Sequence, residues 1–357
     1  MAESGAMSRD LPAEVAAFVR APDRGRFDEL ALDAFAWQHE RIAPYRRLCA
    51  ARGAAPGAVA GWREVPMVPA AAFRTTVLAA APARETFRSS GTAGAGERSV
   101  HHHPFPDLYR LTLDESFPRH CLAGLGRPPM LALAPDRAQA PDSSLSFMID
   151  HVMARWGDPA ASAWAVGRRG VEVKIARSWA GARQRDGRPS LVLATAFALA
   201  QWLEALERPG LRFRLPPGSA AMITGGFKGR TREVARGELL ARLAGSLGIA
   251  PERAVGEYGM TELTSQLYTR ALGGGDPEVH EPPPWVRVRV LDPVTLAEAP
   301  AGAPGLIAVF DLANLGSALH LLTEDLGAAA GGGVLVLGRA AGAELRGCSL
   351  AAEELAG

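Results

Sequence analysis

Apolar residues recur every three to four positions between residues 27 and 50 (FDELALDAFAWQHERIAPYRRLCA), a spacing that predicts one amphipathic helix. Beyond it, short apolar runs alternate with stretches of helical spacing. Strands are predicted at residues 129–135, 190–196 and 220–226, and helices are predicted to begin at Ser143 or Ser144, to end at Glu207 and to end near Leu247. This alternation predicts an α/β core in which helices flank a mainly parallel sheet.

The hydrophobic pattern changes after Trp285. Four short apolar runs, VRVRVLDP, GLIAVFDL, SALHLL and GGVLVLGR, are separated by Gly, Pro and Asp turns, which predicts a small β-rich subdomain. The Pro-rich step at residues 281–284 is the predicted seam. We therefore expect an α/β core over residues 1–280 and a β-rich subdomain over residues 281–357.

Charge and composition exclude two classes of protein. The chain carries 39 Lys and Arg against 38 Asp and Glu, and 48% of its 357 residues are hydrophobic. It is therefore neither disordered nor a basic nucleic-acid binder, and no nucleic-acid partner is expected. Only two of the cations are lysines: Lys174, predicted on the solvent face of a strand (VEVKIAR), and Lys228. Because nearly all cationic side chains in this sequence are arginines, each of the two lysines is a candidate for a specific role.

Cysteine use and the apolar stretches bear on location. Cys49, Cys121 and Cys348 stand far apart without a C-x-x-C pair, which argues against a disulfide scaffold and a zinc ribbon. The first residues lack a basic segment followed by an apolar one. The longest apolar stretch, residues 191–206, is interrupted by Gln201 and Glu204 and falls short of the roughly 20 residues of a membrane span. We expect a soluble, cytoplasmic protein without a membrane span.

Residues 87–99 (FRSSGTAGAGERS) follow a strand-like start and combine small residues with hydroxyls. Glycines permit close backbone approach, and successive N–H groups beside hydroxyls form an anion nest suited to a polyphosphate. The segment is neither a Walker loop nor a G-x-G-x-x-G fingerprint. Taken alone, it fits an ordinary Gly-rich hairpin or lid equally well. Its candidate groups are Ser89, Ser90, Gly91, Thr92, Gly94 and Gly96.

A second candidate segment is GEYGMTE, residues 256–262, at a predicted strand-to-helix junction. Tyr258 offers a ring to lie against a purine, and Gly259 gives room beside it. Thr261 offers a hydroxyl for a phosphate oxygen, and Glu262 offers the carboxylate oxygen that Mg²⁺ prefers. The alternative is structural: Thr261 caps a helix and Glu262 lies favourably at its N-terminal dipole.

The third candidate segment is LTED, residues 322–325, followed after a Gly-rich turn by Gly338 and Arg339. Asp325, at a predicted strand end, can accept hydrogen bonds from two ribose hydroxyls. Arg339 can add a donor nearby. The alternative for Asp325 is an ordinary turn residue.

SSGTAG, YGMTE, TED and a GR…RGCSL run occur in this order, and together they resemble the motifs of the adenylate-forming superfamily, which includes acyl-CoA synthetases, peptide-synthetase adenylation domains and insect luciferases. Within it, the chain resembles the acyl-protein synthetases of bacterial bioluminescence, the long-chain-fatty-acid–protein ligases. That likeness rests on GGFKGR (residues 225–230), YGMTELTSQLY (258–268) and RGCSL (346–350). It covers the chain from about Thr86 onward.

The resemblance implies a nucleotide site made from all three segments. Residues 89–94 would form the phosphate loop, Gly225 and Gly226 would line the adenine pocket, and Tyr258 would stack on adenine with Gly259 beside it. The implied cofactors are ATP and Mg²⁺.

The same resemblance implies roles for the remaining motif residues. Thr261 would contact phosphate, Glu262 would bind Mg²⁺ as a catalytic residue, and Asp325 would bind the ribose. Cys348 matches the cysteine near the C-terminus that receives the acyl group in acyl-protein synthetases. The implied partners are a carboxylic acid, fatty or aromatic, and a thiol acceptor: CoA, a carrier protein or a partner acyltransferase or reductase.

The chain departs from the superfamily in two ways. Most members continue into a mobile C-terminal domain with a catalytic lysine, whereas this sequence stops at Gly357 with no lysine after position 339. The expected fold is therefore the superfamily's N-terminal core without that domain. Lys228 is the candidate to replace the lysine, and a surface lysine is the alternative. The ribose motif also reads Thr-Glu-Asp instead of Thr-Gly-Asp.

Other readings stay open at this stage. Cys348 is either the acyl acceptor or a structural thiol, and the run His101 to His103 fits a strand better than a metal site. Met148, Met153, Trp156, Phe197 and Trp202 suggest an apolar tunnel for the acid, although core packing explains them equally well. The enzyme could instead resemble phenylacetate-CoA ligases, delivering to CoA, a carrier protein or an amine, or the chain could bind nucleotide or acyl-adenylate without turnover.

Overall fold

The computed structural model describes residues 10–90, 97–225 and 234–340. The helices in these ranges are α1 (Leu11–Arg20), α2 (Phe27–Arg41), α3 (Ala43–Ala51), α4 (Pro106–Phe117), α5 (Ser144–Trp156), α6 (Val173–Asp186), α7 (Ala196–Glu207) and α8 (Arg236–Leu247). The strands are β1 (Val68–Pro69), β2 (Glu85–Arg88), β3 (Val100–His103), β4 (Met130–Leu133), β5 (Ala163–Trp164), β6 (Val166–Gly167), β7 (Gly170–Val171), β8 (Leu191–Thr195), β9 (Ala220–Thr224), β10 (Ala254–Tyr258), β11 (Leu267–Thr269), β12 (Val279–Glu281), β13 (Val286–Leu291), β14 (Pro304–Asp311), β15 (His320–Ala330) and β16 (Gly333–Arg339).

Within the described residues, one mixed sheet of 12 strands organises the fold, in the order β13-β14-β15-β16-β12-β11-β10-β9-β8-β4-β5, with β1 added beside β15. The neighbouring strands β5, β4, β8, β9 and β10 pair in parallel. From β10 to β13 each neighbouring pair is antiparallel. Two small hairpins, β2–β3 and β6–β7, stand apart. The predicted α/β class is confirmed.

The parallel strands are buried on both faces, which explains their continuous apolar runs. Alternate residues of β4, β8 and β9 enter different cores, as the period of two requires. One core, shared with α6, α7 and α8, takes Leu131, Leu133, Val192, Ala194, Ala221 and Ile223. The other, shared with α4 and α5, takes Met130, Ala132, Leu191, Leu193, Ala220 and Met222. The runs predicted as strands at 129–135, 190–196 and 220–226 are thereby confirmed.

The antiparallel strands carry the N-terminal helices on a third core. Phe27 at the start of α2 packs its ring against Trp62 and Phe310, with centroids 6.3 and 6.0 Å apart. The side-chain amide of Gln38 is fully buried, donates to the carbonyls of Asn314 and Leu315, and accepts from Leu319 N–H. Helix α2 therefore fixes the turn that follows β14, which in turn supports the candidate site.

Two predicted elements differ in the structure. The single helix predicted for residues 27–50 is two, α2 and α3, separated by Ile42 in an extended conformation, because Pro44 cannot donate its backbone nitrogen to continue the α2 ladder. The strand predicted around Lys174 is the start of α6. The alternation VEVK was too short to separate a strand from a helical turn, although Lys174 is exposed as expected.

Helix boundaries elsewhere match the sequence. Ser143 caps α5 by accepting from Ser146 N–H, α7 ends at Glu207 and α8 ends at Leu247. Strand β12 pairs with both β11 and β16, so the sheet runs through residue 281, and the division of the chain at residues 280 and 281 stays a prediction. Of the helices described, none combines the length and apolarity that crossing a bilayer requires.

Candidate active site

A cavity of about 480 Å³ opens at one edge of the sheet. Residues at or near the ends of four parallel strands contribute to its lining: Leu133 of β4, Thr195 of β8, Thr224 of β9 and Glu257 of β10. Ligands of open α/β sheets bind in the crevice outside the carboxyl ends of such strands. The cavity therefore lies where this architecture forms ligand sites.

Part of the lining is apolar and comes from α5, α7 and the β6–β7 hairpin: Leu145, Met148, Phe197, Ala198, Val166 and Val171. Of the five residues predicted to form an apolar tunnel, Met148 and Phe197 lie here. Met153 and Trp156 of α5 instead pack against the core that α5 shares with α4. Trp202 of α7 is fully buried in the core that α7 shares with α6 and α8. All five are apolar residues on the same two helices, so spacing alone could not separate them.

A second part of the lining is polar and centres on Glu257. This carboxylate is 6% exposed, and Thr224 Oγ1 donates to its Oε2. Gln266 and Tyr109 lie on the same part of the cavity. A Cβ at position 259 would collide with Oε1 of Glu257, so any other residue there would force the end of this side chain to shift. The glycine of the YGMTE motif therefore leaves room for the buried carboxylate of Glu257. Nothing in the sequence pattern had indicated Glu257 as a site residue.

The β2–β3 hairpin brings the start of the predicted phosphate loop to the cavity. The N–H of Ser89 donates to Ser99 O, and Oγ of Ser89 accepts from Ser99 N–H, both at 3.0 Å. Ser89 thus closes the hairpin. Ser90 follows it on the cavity lining, together with Arg88 and Arg98. Both guanidinium groups lie near Asp142, which also lines the cavity, at 3.8 Å for Arg88 and 3.4 Å for Arg98. Two arginines against one carboxylate leave a net positive charge beside the Ser90 hydroxyl, which suits an anionic ligand.

The predicted nucleotide residues divide into three groups. Those that line the cavity are Ser90, Gly225, Gly259 and Thr261. Those that lie next to lining residues in the chain are Ser89, Tyr258 and Glu262. Asp325 and Arg339 lie further away and are connected to this group through Tyr258. Those that lie outside the described residues are Gly91, Thr92, Gly94, Gly226, Lys228 and Cys348.

The helix predicted after Tyr258 is wrong. Strand β10 ends at Tyr258, and the chain passes through a turn into the antiparallel strand β11. The buried carboxylate of Asp311 accepts from the backbone N–H groups of Thr264 and Ser265, at 3.2 and 2.8 Å, and from the hydroxyl of Ser265. Because a side chain takes these N–H groups, no helix begins here. Thr261 is therefore not a helix cap.

Two buried histidines of β3 hold this turn from the other side. His101 Nδ1 lies 2.8 Å from the carbonyl oxygen of Thr261, and His103 Nε2 lies 2.8 Å from Thr264 Oγ1. Thr264 Oγ1 donates onward to Asn314 Oδ1 at 2.9 Å. His103 must therefore donate from Nε2. The sequence did carry a signal, since residues 101 and 103 share one face of the predicted strand, but it gave no partner for them.

Burial sets the charge of these groups. It lowers the pKa of His101 to about 4, and the pKa of His103 lies well below its usual value for the same reason. Both rings are neutral at pH 7. Burial also raises the pKa of Asp311 to about 6, against the hydrogen bonds from Ser265, Ala313 and Thr264, which favour the ionised form. Neutral rings and a hydrogen-bonded carboxylate together fix the Thr261–Ser265 turn.

Glu262 is a buried carboxylate, 6% exposed, whose backbone carbonyl accepts from Asn314 Nδ2 at 2.9 Å. Among the described residues, no group of three or more His, Cys, Asp or Glu could hold a metal ion. A single carboxylate is nevertheless a fitting ligand for Mg²⁺, which is commonly held by one or two carboxylates together with substrate phosphates. The donor at position 262 thus suits an ion that arrives with a nucleotide.

Tyr258, Asp325 and Arg339 form one connected cluster. The Tyr258 hydroxyl donates to Asp325 Oδ2 at 2.9 Å, and Arg339 Nε lies 3.3 Å from Asp325 Oδ1. Asp325 and Arg339 are register partners on β15 and β16. Burial, followed by the charge of Asp325, raises the pKa of Tyr258 well above its usual value. Tyr258 and Asp325, predicted as the adenine and ribose contacts, are therefore adjacent. The hydrogen bond between them was not predicted.

Two solved structures illustrate the likeness of fold. An open conformation of 2-hydroxyisobutyryl-CoA ligase in complex with 2-HIB-AMP and CoA matches with a TM-score of 0.63 at 15% identity, over 89% of this chain and 79% of that chain. ATP-bound MatB from Rhodopseudomonas palustris matches with a TM-score of 0.50 at 17% identity, over 71% of this chain and 47% of that chain. These identities establish likeness of fold.

Sequence comparison is more specific about the family. No curated protein sequence matches the chain. The family model described as "Acyl-protein synthetase, LuxE" matches residues 21–356, which is nearly the whole chain and includes all three candidate segments. The resemblance read from the motifs is thereby confirmed, and the chain belongs to the LuxE acyl-protein synthetase family.

Proposed function

We propose that this protein activates a carboxylic acid with ATP as an acyl-adenylate and then transfers the acyl group to a thiol. The observation that carries the proposal is the convergence of three separate parts of the sequence on one cavity: Ser90 from the 87–99 segment, Gly225 after β9, and Gly259 with Thr261 from the 256–262 segment. Membership of the acyl-protein synthetase family supports an adenylate-forming ligase.

In the first step, a carboxylate oxygen of the acid attacks the α-phosphorus of ATP. The bond from the α-phosphorus to the bridging oxygen breaks, and pyrophosphate leaves with that oxygen. Negative charge grows on phosphate oxygens during this step and needs donors or cations aimed at it. Ser90, Arg88 and Arg98 provide such groups at the cavity. Mg²⁺, held by Glu262 and the phosphates, would supply further charge neutralisation. We assign the same role to Lys228.

The nucleotide itself would be held by the cluster beside the cavity. Asp325 has its two oxygens contacted by Tyr258 and Arg339, and a carboxylate has about four lone-pair positions, so acceptor capacity is left for ribose hydroxyls. The ring of Tyr258 would lie against adenine. Gly225, which has φ +66° at the end of β9, would form the neighbouring wall together with Gly226.

In the second step, a thiolate attacks the acyl carbonyl carbon, a thioester forms, and AMP leaves with the former carboxylate oxygen. We propose Cys348 or an external carrier thiol as the nucleophile. Cys49 and Cys121 do not fit the role, because both are buried and burial raises the pKa of each thiol, that of Cys49 to about 11. A thiol reacts as its thiolate, so these two cysteines are unreactive near neutral pH.

The acid is proposed to be fatty or aromatic because one side of the cavity is lined by apolar residues. Met148, Ala198 and Val171 contribute to that side, and an apolar body buried there gains about 25 cal/mol per Å² removed from water. The thiol acceptor, whether CoA, a carrier protein or a partner acyltransferase or reductase, is the proposed second partner.

The decisive test is carboxylate-dependent ATP–pyrophosphate exchange with fatty, aromatic and amino acids. Exchange with at least one apolar acid is expected, and no exchange across the panel would refute adenylation and favour a binding protein. Lys228→Ala should lower the exchange rate by about a hundredfold. Lys174→Ala is the matched control, because Lys174 is the other lysine of the chain and is exposed on α6. Equal rates in both variants would refute a role for Lys228.

The acyl acceptor is tested separately by labelling the protein with a radioactive acid and ATP. Cys348→Ala should abolish hydroxylamine-labile label while leaving exchange intact. Cys49→Ala and Cys121→Ala, in which buried thiols are removed, should keep the label. Label that persists in Cys348→Ala and moves to added CoA or carrier protein would instead support an external acceptor.

A further inference from the structure

Glu324, the middle residue of the Thr-Glu-Asp motif, bridges two arginines. Its side chain is 11% exposed. Both carboxylate oxygens accept from Arg74 Nη2 at 2.9 Å, and Oε2 also accepts from Arg339 Nη1 at 2.6 Å. Arg74 lies 250 residues earlier in the chain, in the part that carries none of the nucleotide motifs. The glutamate at this position therefore has defined partners.

Arg339 is shared between two neighbouring carboxylates. Its Nη1 contacts Glu324, while its Nε lies 3.3 Å from Asp325 Oδ1. Arg339 and Asp325 face each other in the β15–β16 register. Guanidinium groups bind a single carboxylate most strongly with two parallel hydrogen bonds. In the absence of Glu324, the guanidinium of Arg339 would be free to reorient and form that paired contact with Asp325.

We propose that Glu324 is a positioning residue: by holding Nη1 of Arg339 it fixes the guanidinium so that only Nε reaches Asp325, and so keeps Asp325 available to a ribose. This inference rests on the proposed function, in which Asp325 binds the nucleotide sugar. A ribose diol donates two hydrogen bonds, and a carboxylate already occupied by a two-pronged guanidinium has fewer acceptor positions to offer. Tyr258 occupies only one side of Oδ2.

Arg74 completes the arrangement electrostatically. Glu324 and Asp325 supply two negative charges, and Arg74 and Arg339 supply two positive ones. Removing a single partner from a mostly buried ionic group leaves the remaining charge poorly compensated. Arg74 and Arg339 thus hold the Glu324 carboxylate from two sides. Arg339 lies on β16, so its contacts with Glu324 and Asp325 connect the ribose motif on β15 to that strand.

The test measures nucleotide selectivity, which a purely structural defect would not change. ATP and 2′,3′-dideoxy-ATP are titrated calorimetrically into the full chain. The unsubstituted protein should bind ATP more tightly, because only ATP offers ribose hydroxyls to Asp325. Glu324→Gly should weaken ATP binding by about tenfold and leave 2′,3′-dideoxy-ATP binding unchanged, so that the two affinities converge. Glu324→Gln, which keeps the size of the side chain, should shift the ratio in the same direction and guards against misfolding of the glycine variant.

A matched control is available in Glu298, which also contacts two arginines, Arg63 and Arg289, at 3.3 and 2.9 Å. Glu298→Gln should leave both affinities unchanged. Parallel loss of both nucleotides in the two Glu324 variants, or an unaltered preference for ATP, would overturn the inference while leaving the proposed function standing. Failure of the unsubstituted protein to bind ATP would instead refute the proposed function.

Discussion

The hydroxyl of Tyr258 donates a 2.9 Å hydrogen bond to Asp325 Oδ2, across 67 residues of sequence. Tyr258 closes strand β10 of the parallel region, and Asp325 lies on β15 of the antiparallel region. The bond therefore joins two of the three candidate segments at the side-chain level. In the proposed function, the same pair couples the adenine contact to the ribose contact.

Tyr258→Phe should weaken ATP binding while retaining the fold. The variant keeps the ring but leaves the mostly buried Asp325 without its hydroxyl donor, and a lost hydrogen bond to a charged group costs about 1.5–3 kcal/mol. We expect the KM for ATP in the exchange assay to rise about tenfold or more, with little change in the KM for the acid.

Tyr45→Phe provides the control for that experiment. Tyr45 is buried and its hydroxyl donates to Pro66 O at 3.0 Å, in the N-terminal part of the chain. Its loss should lower the melting temperature without altering the KM for ATP. A Tyr258→Phe protein with the KM of the unsubstituted chain would show that the hydroxyl does not orient a ribose-binding group.

Gly259→Ala should lower the rate of exchange. The added methyl group would collide with Oε1 of Glu257, and relief requires the buried carboxylate to move from its place on the cavity lining. Gly237→Ala is the comparison, since Gly237 is exposed on α8 and a Cβ there meets nothing within 4 Å. That change should leave the exchange rate intact and stabilise α8 by about 0.5–1 kcal/mol. An unchanged exchange rate in Gly259→Ala would contradict the assignment of this cavity.

Ala198→Leu should change which acids are accepted. Ala198 lies on the apolar part of the lining in the first turn of α7, where a larger side chain fills space without disfavouring the helix. We expect the exchange rate with long-chain acids to fall more than that with short acids, and the KM for ATP to stay constant. Uniform loss across a series of chain lengths would indicate that the acyl group binds elsewhere.

The sequence predicted strands and helices better than it predicted the contacts between residues distant in the chain. Continuous apolar runs gave β4, β8 and β9, because a strand buried on both faces needs apolar residues on both. The turn after Tyr258 could not be derived, since its course depends on Asp311, which lies about 50 residues later and takes the N–H groups that a helix would use. The roles of His101 and Glu324 were equally hidden, because each is defined by partners far away in the chain.

Acidification should destabilise the fold between about pH 6.5 and pH 4. Burial lowers the pKa of His101 and of His280 to about 4 and that of His320 to about 3, from 6.5. In this interval the unfolded chain binds protons that the folded protein does not, so the free energy of unfolding falls as pH falls, by up to about 1.4 kcal/mol per pH unit for each group. Asp311 opposes the trend, because its pKa is raised to about 6 and it binds a proton earlier when folded. These three histidines, together with His103, whose pKa burial also lowers, outweigh one aspartate. Urea denaturation at a series of pH values measures the slope, and His320→Gln, which removes one titrating ring, should make it shallower. An unchanged slope in that variant would contradict the assignment of His320 as a buried neutral imidazole.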